Sequence, residues 1–127
     1  MTDPIIYIDR SRIREGRAER LRQQIQQLVD FIESKESQLI GYEFYFDSET
    51  REMTVIAIHP DSQSLETHME VGREAFREFA ELIDMQSIQV YGQPSDKVLR
   101  LLDEKSEMLG DHGRVEVHSR QGGFIGV

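Results

Sequence analysis

The chain has 127 residues with 38% hydrophobic and 31% charged positions, a formal net charge of −9 and no cysteine. Such a length suits a single domain over residues 1–127 with its own core. The acid excess argues against a nucleic-acid partner, and the absence of a long apolar run argues against a membrane partner. Zero cysteines excludes a disulfide framework, a thiolate metal site and a Cys nucleophile. With no basic leader at the N-terminus, a cytoplasmic location is expected.

Ile5 to Ile13 reads as a first strand, whose continuous apolar start suits a central position. Arg10, Arg12, Arg14, Arg17, Arg20 and Arg22 form a cationic cluster. Asp9, Glu15 and Glu19 interleave with it, so it reads as a solvated, salt-bridged face rather than an anion site. Gly16 breaks the strand pattern. From Ala18, apolar residues at 18, 21, 25, 28, 29 and 32 make an amphipathic helix stripe, which fades through Ser34, Lys35, Glu36 and Ser37.

A hairpin follows: the aromatic run from Leu39 to Phe46, a polar turn, and a return from Met53 to His59. An even turn sets Phe46 opposite Met53, Phe44 opposite Val55, Tyr42 opposite Ala57 and Ile40 opposite His59, whereas a one-residue slip would exchange the faces. Both faces carry large apolar residues, so both are expected to be covered. Phe44 and Val55 are placed on a face that a second copy could cover.

Asp61 or Ser62 caps a second helix. Its core stripe is read as Leu65, Met69, Gly72, Phe76, Phe79 and Ile83. Ser87 to Tyr91 alternates as a fourth strand, Ser95 caps a third helix that stops at Gly110, and Arg114 to Ser119 is a short last strand. The glycine-rich tail is loose unless a partner covers Phe124 and Ile125. The expected class is α+β: a ferredoxin-like βαββαβ core at 5–92 with an antiparallel sheet, then a helix and strand extension at 93–127.

Over its core the chain resembles the dimeric α+β barrel superfamily, and within it the antibiotic-biosynthesis-monooxygenase-like domains. Those domains show an aromatic second strand, an apolar third strand ending in Trp-x-Asp, and a helix reading acidic-x-x-Leu-x-x-His. Asp61, Leu65 and His68 match this pattern, and Gly16 matches a glycine that commonly precedes the first helix. His59 stands where the family usually has Trp. A haem-degrading branch uses Trp, Asn and His together, and this chain has no Trp and no Asn. The resemblance therefore implies no haem; no cofactor is expected, and the chain is expected to pair with itself.

The candidate catalytic residues are His68 and His59, weighed against a buried histidine meeting a backbone carbonyl and a boundary histidine with a local hydrogen bond. Tyr42, Phe44 and Val55 are the candidate ligand-binding residues. No metal site is expected, because nine residues across a strand-to-helix turn is not a usual spacing for two histidine ligands. His112 and His118 read as surface residues, Glu43 as an acid or base only if buried, and Tyr7, Tyr45 and Tyr91 as packing or pocket lining. Two functions stay open. One is a cofactor-independent monooxygenase that deprotonates an aromatic or quinol-type substrate; the other is a non-catalytic dimeric module that binds a small ligand or serves a structural role.

Overall fold

The computed structural model describes residues 3–110 and 114–126. The elements run β1 (Ile5–Ile13), α1 (Ala18–Lys35), β2 (Gly41–Asp47), β3 (Glu52–His59), α2 (Ser62–Arg77), β4 (Ile83–Tyr91), α3 (Asp96–Leu109) and β5 (Arg114–His118). They form one mixed sheet in the order β2-β3-β1-β4-β5. The first four strands pair antiparallel in the ferredoxin-like arrangement. β5, the added strand whose direction the residue pattern left open, pairs parallel to β4. Parallel neighbours need a crossover element between them, and α3 is that element.

The even hairpin register holds, with Phe46 opposite Met53, Phe44 opposite Val55 and Tyr42 opposite Ala57. Ile40 lies just outside β2: its N–H donates to the Ile58 carbonyl at 2.8 Å, and its side chain is exposed while His59 is buried. Tyr42, Phe44 and Val55 face the helices, so Phe44 and Val55 belong to the interior and not to a face open to a second copy. Glu43 points the other way and is exposed. That outer face carries Ile6 opposite Ile58 and Ile8 opposite Ile56, flanked by exposed Tyr45 and Tyr91.

The second helix ends earlier than its apolar stripe. Phe79 lies in a turn after α2, and Ile83 opens β4, which therefore begins four residues before Ser87. The cause is a bulge at Gln86, since Arg10 pairs with Ser87 while Ser11 pairs with Met85. The inward residues of β4 are Ile83 and Met85 before the bulge and Ile88 and Val90 after it. This change of phase hides the first half of the strand from a period-two reading.

Arg14 Nε donates to the Ile83 carbonyl at 3.1 Å, Arg22 pairs with Glu19 at 3.1 Å, and Arg10 and Arg12 are exposed. The cationic cluster is thus a surface with local pairs. His118 stacks on Tyr91 with ring centroids 4.6 Å apart, and His112 lies outside the described residues. Phe124 is 93% exposed. Among the described residues, no helix is long and apolar enough to cross a membrane.

α3 docks tightly at its end. A Cβ on Gly110 would sit 2.3 Å from the Met85 carbonyl oxygen, so only glycine lets the chain pass β4 here. Gly110→Ala should cost about 1–3 kcal/mol of stability through a clash that the sheet backbone cannot relieve cheaply. Urea unfolding checks this, and an unchanged midpoint would mean that the α3–β4 contact is loose.

Candidate functional site

The inward face of β1 presents Ile5, Tyr7, Asp9, Ser11 and Ile13, all buried. Two of these are charged or phenolic, and they meet a buried cation. Lys105 Nζ donates to the Tyr7 hydroxyl at 2.9 Å and lies 3.6 Å from Asp9 Oδ2. The Tyr7 hydroxyl in turn donates to Asp9 Oδ2. The ammonium also sits over the Phe76 ring, 4.2 Å from its centroid. Burial pushes the Asp9 carboxyl up and the Lys105 ammonium down, and each opposes the other's shift. Asp9 Oδ1 has no partner among the described residues.

The second polar pair lies on the same interior face. Pro60 follows His59, and Asp61 starts α2 by accepting the Ser64 N–H at 2.8 Å. That first turn brings Ser64 Oγ to 2.8 Å from His59 Nδ1. One turn on, His68 projects inward and its Nδ1 lies 2.9 Å from Glu36 Oε2 at the end of α1. His59 and His68 rings are 5.3 Å apart, the Tyr42 ring is 5.0 Å from His68, and Phe76 is 5.3 Å from His68. Both histidines are fully buried, and Nε2 of each lacks a partner among the described residues.

Burial holds both histidines down to about 3 and raises Glu36 to about 7. Glu36 also stands at the negative end of α1, which disfavours a further negative charge. Such a pair titrates as a unit. Above pH 7, His68 Nδ1–H donates to the Glu36 carboxylate and Nε2 is a bare base. When Nε2 takes a proton, the Nδ1 proton moves to the carboxylate, and the imidazole stays neutral. The dyad is therefore a base whose effective proton affinity lies near neutrality, where general-base catalysis is most efficient. Glu36 and Tyr42 also line a 180 Å³ surface pocket between α1 and β2, which places the carboxyl end of the dyad beside solvent.

Tyr42, Phe44 and Val55 come together with Asp9, Phe76 and Lys105 around an interior cavity of about 20 Å³. That is room for about one water molecule. Among the described residues, no group of three or more His, Asp or Glu side chains could hold a metal ion. Tyr45 and Tyr91 lie on the outer face, away from this cluster. The sequence reading missed Glu36, Ser64, Tyr7, Asp9 and Lys105 as a group. Their signal was periodicity: Glu36 continues the buried series 21, 25, 28 and 32, and Lys105 sits within the buried series 98, 102 and 109.

No family model and no curated protein matches the sequence. Solved structures do match its fold. MupZ from Pseudomonas fluorescens aligns with a TM-score of 0.75 at 18% identity, covering 96% of this chain and 93% of that one. A conserved protein from Methanosarcina mazei Go1 gives 0.63 at 19% identity, covering 74% and 95%. A candidate antibiotic biosynthesis monooxygenase from Caulobacter crescentus CB15 gives 0.61 at 10% identity, covering 74% and 91%. The chain has the antibiotic-biosynthesis-monooxygenase-like fold.

The dyad makes a signed prediction for stability. Glu36 keeps its proton in the folded chain up to about pH 7, whereas the unfolded chain releases it near 4.5. This contribution is present below 4.5 and is lost as pH rises through 7. Glu36→Gln lacks that loss, so it should gain on the wild type between pH 4.5 and 7 by on the order of 2 kcal/mol, then stay level. Urea denaturation across this range checks it; a relative loss instead would mean a charged Glu36–His68 pair.

Proposed function

We propose that this protein is a homodimeric, cofactor-independent oxygenase acting on a small phenolic or enolisable aromatic molecule. The observation that carries this reading is the buried His68–Glu36 dyad, whose Nε2 has no partner among the described residues. His68 removes the acidic proton, which leaves an electron-rich carbanion or phenolate. That anion reduces dioxygen: one oxygen atom becomes a ring carbonyl and the other leaves as water, so the substrate supplies all the electrons. His59, held through Ser64, lies beside His68 and orients the substrate or returns a proton to the departing oxygen.

Support from outside the chain comes through fold: solved structures of the same fold include one described as a candidate antibiotic biosynthesis monooxygenase and one as a possible oxidoreductase. Anthrone is a suitable probe, because its methylene proton is acidic and its product is the quinone. Purified protein should consume one dioxygen per quinone formed, with a rate rising through about pH 7. His68→Ala should lower the rate by roughly 10²–10⁴-fold, the usual range for a general base. Equal oxygen uptake with and without the protein would sink the reading.

The small cavity favours a second reading, a non-catalytic ligand-binding or structural module, since ligand sites commonly span about 300–1,000 Å³. Anthrone binding without oxygen uptake, unaffected by His68→Ala, would decide for it.

Support for the dimer comes from the outer sheet face, where Ile6, Ile8, Ile56 and Ile58 are only half-buried beside exposed Tyr45 and Tyr91. A second sheet laid on this face would cover them. Ile56→Lys should then shift the protein from dimer to monomer in sedimentation, and an unchanged sedimenting species would remove this face from the interface.

A further inference from the structure

We infer that the groove between α2 and α3 is the cleft through which this site takes its substrate, with Lys105 at the inner end holding the substrate's ionised oxygen. The inference rests on the acid–base reading above but concerns a different part of the molecule. The groove has a volume of about 300 Å³, within the range of small-molecule sites. Its walls are apolar, from Met69, Leu101 and Met108, and its rim carries Arg73, Arg77 and Glu104. Arg73 is paired with Glu104, and Arg77 lies 3.8 Å from Glu74, so the rim is nearly balanced, and the cation at the inner end is Lys105, itself paired with Asp9.

Phe76 and Lys105 line both the groove and the interior cavity, so these two side chains are the wall between them. The wall is built to be thin. A Cβ at residue 72 would lie 2.4 Å from the Phe76 ring, so Gly72 creates the space in which that ring rests. A mid-helix glycine costs about 1 kcal/mol relative to alanine, which argues that the space is used. Swinging the Phe76 ring aside merges the groove with the cavity and exposes His68, its neighbour at 5.3 Å, to a ligand lying along the groove.

Lys105 then meets that ligand with a donor to spare. An ammonium has three N–H groups; the Tyr7 hydroxyl takes one, and Asp9 Oδ2 lies within ion-pair reach of another. The chemistry that fits is a phenol or enol with an apolar body: its hydroxyl passes a proton to His68 while its oxygen, now anionic, is held by Lys105. Phe76 is the gate, and Lys105 the group that favours the anion.

The probe is 4-nitrophenol, whose anion is yellow and whose ionisation is read directly without oxygen or turnover. Bound to the wild-type protein, its ionisation midpoint should fall by about one pH unit, the effect of a nearby cation. Leu101→Trp, which fills the groove away from the buried pairs, should weaken binding at least tenfold at unchanged circular dichroism. Lys105→Met combined with Asp9→Asn removes both charges together and should return the midpoint to that of free 4-nitrophenol. If that double variant does not fold, Leu101→Trp alone decides. Absence of binding, binding indifferent to Leu101→Trp, or a midpoint unmoved by the double variant would overturn the inference. If the probe behaves as expected but anthrone shows no oxygen uptake, the oxygenase reading falls and the cleft stands. Uptake indifferent to Leu101→Trp leaves the oxygenase and removes the cleft.

Discussion

Two ionisable pairs buried beneath one sheet constrain everything else in this molecule. Lys105 with Asp9, and His68 with Glu36, lie where an apolar core would stabilise the fold more. Burying them is tolerable only because each finds its partner: Tyr7 bridges the first pair, and the second turn of α2 and the end of α1 position the second. The partners come from β1, α1, α2 and α3, so the site is complete only when the whole layer of helices has packed. Removing one member of either pair leaves a charge or an unmet polar group in a medium that solvates it poorly.

The arrangement separates roles by environment. His68 is held neutral and sealed, with its proton reservoir, Glu36, placed beside the surface pocket near Tyr42. Lys105 keeps its positive charge through Asp9, and the Phe76 ring stands between this cation and the groove. Base and anion holder therefore approach a single space from different helices. That space is nearly closed, so chemistry here depends on the movement of a few side chains, with Phe76, packed over Gly72, standing between the groove and the cavity.

The core was largely legible from residue patterns, because each element buries one stripe: the hairpin register followed from Phe44, Phe46, Val55 and Met53, and the caps from Asp61 and Ser95. Where the reading failed, two patterns overlapped. The bulge at Gln86 shifted the phase of β4, so Ile83 looked like the end of a helix. Which face of the hairpin meets the helices stayed open for Phe44 and Val55, although the alternation that groups them with His59 turns them toward the helices. His68 was visible through its motif, and His59 through its place at the end of β3. Their partners were not, since Glu36 and Lys105 are distant in sequence, and charged residues on a helix stripe are ordinarily taken as its solvated edge.

The most direct test of this account is the protonation state of His68, read by ¹⁵N NMR of the imidazole between pH 4 and 9. The dyad predicts a neutral ring throughout: bare Nε2 with a proton on Nδ1 above about pH 7, changing to a proton on Nε2 below it as Glu36 becomes protonated. An imidazolium signal appearing near pH 6.5, the ordinary range of an exposed histidine, would contradict it and leave His68 without the means to act as described.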